Sequence, residues 1–135
     1  MIKKFYKKVI AQRPEDLSII SALCSQAKVK QSDIKYLKNN KVFILTIERT
    51  NKESNVKNEK IGSVIKFDFI DNCKSKNINQ SDPENILELF SINIFKKNDN
   101  FEILLLFLNN GVITLSTEVV EAVSYTHLRA HETPR

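Results

Sequence analysis

Apolar and polar positions alternate over most of the chain, and in one stretch near its start they recur instead at spacings of three and four. Alternation puts every second side chain on one face of a strand, whereas the longer spacing lines one face of a helix. Lys4 to Ile10 reads as a first strand, with Phe5, Tyr6, Val9 and Ile10 as its buried candidates. Arg13-Pro14-Glu15-Asp16 then opens a helix. Proline lacks the N–H that a first helical turn leaves orphaned, and the two carboxylates complement the positive end of the helix dipole. Leu17, Ile20, Leu23, Cys24 and Ala27 form one apolar stripe, which predicts an amphipathic helix over 14–27 packed on a sheet.

Beyond that helix the period returns to two. Val29 to Leu37 and Lys41 to Arg49 are predicted strands flanking a turn at Lys38-Asn39-Asn40, since asparagine tolerates left-handed backbone angles. Thr50 to Lys60 has a single apolar residue, Val56, and reads as the longest solvated loop. Ile61 to Asp71 is the next strand, and Asn72 to Pro83 a second polar stretch. It leads into a further apolar segment, Asn85 to Lys97, whose first turn reads as helical because Ser81-Asp82-Pro83-Glu84 has the form of a cap followed by proline. Turns at Asn98-Asp99-Asn100 and Asn109-Asn110-Gly111 separate that segment from strands at Phe101 to Leu108 and Val112 to Val120. Asn110-Gly111 supplies the two positive-φ residues that a type I′ hairpin turn requires, and the last three strands form an antiparallel meander. The sum is about seven strands and one N-terminal amphipathic helix. The predicted class is α+β, mostly antiparallel β, as a curved sheet or partly closed barrel with the helix over one face or end.

Composition changes this picture at one place. With 41% hydrophobic and 27% charged residues, the 135 positions suit one folded domain. The last twelve residues, 124–135, contain no lysine, asparagine or isoleucine, yet hold both histidines and two of the four arginines. They resemble a peptide that recurs at the ends of unrelated proteins as a translation of sequencing-adapter DNA. The expected organisation is therefore a single globular domain over 1–123 and an artefactual or disordered tail over 124–135. The longest apolar run, Ile103 to Leu108, is far short of the roughly 20 residues of a bilayer span, and the basic start lacks the apolar stretch of a signal peptide. No membrane association and a cytoplasmic location are expected. Cys24 and Cys73 belong to no C-x-x-C pair and are expected to be reduced, partly buried thiols.

An ordered series of segments resembles a bacterial domain-of-unknown-function family, number 2948. Near the start it comprises Glu15-Asp16-Leu17-Ser18-Ile19-Ile20-Ser21-Ala22, Gln26-Ala27-Lys28-Val29, Asp33-Ile34-Lys35-Tyr36-Leu37 and Lys41-Val42-Phe43. Further on come Lys66-Phe67-Asp68, Lys74-Ser75-Lys76, Ile86-Leu87-Glu88-Leu89-Phe90-Ser91-Ile92, Phe101-Glu102-Ile103, Asn110-Gly111-Val112-Ile113 and Glu121-Ala122. The chain departs from that family's pattern in carrying lysine where arginine is usual after the central strand, and in replacing a glycine-containing turn near Asn77-Ile78-Asn79. The resemblance implies a compact bacterial domain and brings no catalytic residue with it.

Candidate chemistry is sparse. Glycine stands only at positions 62 and 111, which excludes Walker and Rossmann phosphate loops, and no G-x-S-x-G occurs. Asp68 with Asp71, and Glu118 with Glu121, are carboxylates three apart, read here as solvent-facing rather than catalytic. No catalytic, cofactor-binding or metal-ligating set is assigned, and no cofactor is expected. The net charge of +5 invites a nucleic-acid reading, but 17 of the 21 basic residues are lysine, accompanied by 14 asparagines and 16 isoleucines, as AT-rich coding would produce. The candidate nucleic-acid surface is Lys4, Tyr6 and Lys8 on one face of the first strand, together with Lys74 and Lys76 in a loop. The first expectation is a non-enzymatic protein-interaction or accessory module with an unknown protein partner, working through a sheet edge or the face that the helix leaves bare. The alternative is a nucleic-acid-binding accessory protein using the N-terminal basic strand.

Overall fold

The computed structural model describes residues 4–50, 60–79 and 81–129. Its strands are β1 (Lys4–Ala11), β2 (Ala27–Lys30), β3 (Ile34–Leu37), β4 (Val42–Thr50), β5 (Lys60–Phe67), β6 (Ile70–Lys76), β7 (Ile86–Lys97), β8 (Asn100–Phe107), β9 (Val112–Thr117) and β10 (Ala122–Arg129). They form one open antiparallel sheet in the order β1-β10-β5-β4-β2-β7-β8-β9-β6, with β3 also paired to β4. The α+β class and the antiparallel sheet agree with the sequence, but the count is ten among the described residues rather than seven. β7, β8 and β9 are the expected meander.

The one α-helix among the described residues, α1 (Leu17–Cys24), follows a 3-10 turn at Pro14–Asp16 and is shorter than its apolar stripe suggests. It ends because Gln26 takes a left-handed backbone (φ 67°), the conformation that commonly stops a helix. Leu17, Ile20 and Cys24 are buried from α1, and Ala27 is buried from β2 instead. The helix docks beside an irregularity of β7, whose register shifts between Leu89 and Ser91, and the Ile92 N–H just past it donates to Ser21 Oγ at 2.9 Å.

Two of the predicted strands are each two elements. The stretch 29–37 is broken by a 3-10 turn at Gln31–Asp33, which separates β2, lying between β4 and β7, from β3, which pairs with β4. The stretch 61–71 is broken at Phe69 (φ 61°), after which β6 runs through residues read from the sequence as a polar loop. Lys74 and Lys76 are therefore strand residues, opposite Thr114 and Val112 of β9. At Asp82 the expected cap is only a turn, with Asp82 Oδ1 accepting from the Glu84 N–H at 3.1 Å, and Asn85 to Lys97 has no helical start. Most of the predicted loop 50–60 lies outside the described residues, with Thr50 and Lys60 in β4 and β5. The β8–β9 hairpin forms as expected, but Asn109 and Asn110 (both φ 67°) are its left-handed residues. Gly111 is at φ −73°, where a Cβ would stand 3.2 Å from Ile78 Cγ1.

Residues 124–129, set apart by composition, lie in β10 between β1 and β5. Ser124 and Thr126 face inward and are buried, and Thr126 Oγ1 shares a 2.9 Å hydrogen bond with Ser63 across the strands. The core is one cluster, in which Phe43, Leu45, Ile65, Phe67, Leu89, Ile103, Leu105 and Leu115 meet the buried side of α1. None of the helices among the described residues is long and apolar enough to cross a membrane.

Candidate functional site

The sheet bends enough to bring β6, the last strand in its order, opposite β3. No backbone ladder joins them. They are tied at one end, where Tyr36 Oη donates to the Ile70 carbonyl at 2.8 Å, the Ile70 N–H donates to the Lys41 carbonyl at 2.8 Å, and Lys41 Nζ meets Asp71 Oδ1 at 3.0 Å. Beyond this clasp the gap opens into a cleft of about 370 Å³, within the range of small binding pockets. Ile34 and Tyr36 line it from β3, Cys73 and Ser75 from β6. Phe43 and Ile113 contribute from β4 and β9, and Gln31 and Ile78 complete the lining.

Strand alternation sorts the side chains around this opening. Cys73 and Ser75 line the cleft, while Lys74 and Lys76 between them stand exposed on the other face of β6. Ile34 and Tyr36 likewise line it while Lys35 is exposed. Burial pushes the Cys73 thiol above its ordinary range, which keeps it protonated and a poor nucleophile. Burial also raises the Tyr36 phenol, with smaller contributions from Cys73 and Asp71, so the phenol stays a hydrogen-bond donor. Gln31 Oε1 is buried with no hydrogen-bond partner among the described residues. Among the described residues the lining carries neither carboxylate nor imidazole. A second hollow, of about 400 Å³, lies between β2, the start of β7 and the Leu108–Asn110 turn. Its lining is more polar, and the Lys28–Glu88 ion pair at 3.7 Å crosses it.

The residues singled out from the sequence do not gather here as a group. Lys4, Tyr6 and Lys8 are on β1, at the opposite end of the strand order from Lys74 and Lys76. Lys8 Nζ stands 5.5 Å over the Tyr125 ring of β10, and the side chains of Lys4 and Tyr6 lie outside the described residues. Asp68 pairs with Lys66 at 3.5 Å, and Asp71 with Lys41. Among the described residues no group of three or more His, Cys, Asp or Glu side chains is placed to hold a metal ion. Sequence reading missed the meeting of Tyr36 with Cys73. The available signal was the alternation of Cys73 and Ser75 with Lys74 and Lys76, which is strand periodicity inside a polar stretch.

The fold is that of an open antiparallel β-sheet protein with one α-helix among the described residues and a cleft at the seam between β3 and β6. Residues 7–134 match the family described as "Protein of unknown function (DUF2948)". The chain belongs to that family. No curated protein and no solved structure matches it.

Proposed function

We propose that this protein is a non-enzymatic cytoplasmic interaction module that takes up an extended segment of another protein along the free edge of β6. The observation that carries the reading is the position of that edge: among the described residues the one strand paired with β6 is β9, and the other side of β6 opens on the cleft between β3 and β6. A terminal strand offers unpaired backbone N–H and C=O groups, so an added strand gains main-chain hydrogen bonds while its alternate side chains enter the cleft. A location in a reducing compartment is supported by Cys24 and Cys73, neither of which is in a disulfide.

Selection of a displayed random-peptide library on the folded protein tests the reading. Selected peptides are expected to slow alkylation of Cys73, the half-buried thiol in the cleft, while Cys24 stays protected by the core in every sample. Peptides that bind and leave the Cys73 rate unchanged would place the interaction elsewhere and overturn the proposal.

A further inference from the structure

We infer that the segment taken up along β6 is acidic on its outward side, so that the partner is an extended stretch alternating apolar residues with Asp or Glu. The inference rests on the strand-addition reading above and supplies the chemistry of its partner. A strand laid on β6 sends alternate side chains to opposite faces. One set enters the cleft over Ile34, Ile78 and Ile113. The other set emerges between Lys35 on one lip and Lys74 with Lys76 on the other, all three exposed. None of these lysines forms an ion pair among the described residues, whereas the neighbouring carboxylate, Asp71, is already held by Lys41 at 3.0 Å. Opposite charges facing each other across strands stabilise their pairing and like charges weaken it, so three free ammonium groups favour a row of carboxylates and reject a row of lysines. At the end of the cleft Gln31 Oε1, buried with no hydrogen-bond partner among the described residues, can accept a hydrogen bond from the incoming segment.

Three short peptides test this, alternating valine with glutamate, with glutamine or with lysine, each followed by fluorescence anisotropy and by the rate of Cys73 alkylation. The glutamate peptide is expected to bind about tenfold tighter than the glutamine peptide at low salt, to lose that advantage as salt rises, and to protect Cys73. The lysine peptide is expected to bind weakest. In the Lys74→Glu, Lys76→Glu double variant, whose changes are on exposed positions, the order of the glutamate and lysine peptides reverses. Equal binding and equal Cys73 protection by all three peptides would overturn the acidic preference and leave strand addition standing. Failure of all three to bind or protect Cys73 would overturn both. Displacement of the glutamate peptide by single-stranded polyuridine of higher affinity would assign the lysines to nucleic acid and overturn the acidic-peptide partner.

Discussion

Ser124 Oγ is buried in β10 without a hydrogen-bond partner among the described residues, two positions from a Thr126 hydroxyl that has one in Ser63. Leaving a polar group buried and unpaired costs roughly 1–3 kcal/mol, while a made bond contributes about 1 kcal/mol net. The two sites should therefore respond in opposite directions. Ser124→Ala is expected to raise stability by about 1 kcal/mol, and Thr126→Val, which strands the Ser63 hydroxyl, to lower it by about 1 kcal/mol, both read from urea midpoints at constant slope. Tyr36 makes a pH-dependent contribution. Its phenol is raised in the folded state above its ordinary value of 10.0, so the folded chain holds that proton more tightly than the unfolded chain. Its contribution is complete below that value and is lost as pH rises from it toward the raised one. Denaturation between pH 8 and 11 should show a decline at the alkaline end that is shallower in Tyr36→Phe. That variant also lacks the donor to the Ile70 carbonyl and should be less stable at neutral pH.

Elements that bury one full face were readable as period, and those that bury little were not. The stripe of α1 and the β7–β8–β9 meander carry their burial in the sequence, the helix by its spacing of three and four and the meander by alternation. β6 buries only Ile70 fully and holds Cys73 half-buried, so an edge strand reads as a polar loop. β10 turns Ser124 and Thr126 inward, so apolar alternation fades along the strand where composition had already separated it. The breaks at Gln31–Asp33 and Phe69 arise from pairing geometry with distant strands, and local sequence gave no glycine or proline to mark them. The same limit applies to the cleft, since Tyr36 and Ile70 are 34 positions apart and only the bend of the sheet joins them. The hairpin at 109–111 offers a direct check on residue assignment within a turn. Asn109→Ala is expected to cost about 1 kcal/mol and Asn109→Gly almost nothing, because the position is left-handed. Gly111→Ala is expected to cost less than Asn109→Ala, needing only a small shift of the Ile78 side chain. Thermal unfolding of the three variants under one condition gives the order.

At the scale of the molecule, the ends of the sheet are not equivalent. β1 and β6 both terminate the strand order and both carry lysines, but only β6 borders the cleft with its apolar floor. On β1, Lys8 already lies over the Tyr125 ring of its own chain. Paired reversals of charge separate the two ends: Lys74→Glu with Lys76→Glu should weaken uptake of an acidic strand about tenfold, whereas Lys8→Glu should leave it unchanged. Backbone amide hydrogen exchange, with and without the glutamate–valine peptide, tests the central claim most directly. In the free protein the β6 amides that face away from β9 should exchange fast, and the peptide should slow exchange across residues 72–76 while leaving β1 unaffected. Slowing along Lys4–Ala11, or an unchanged β6, would contradict the assignment of β6 as the binding edge.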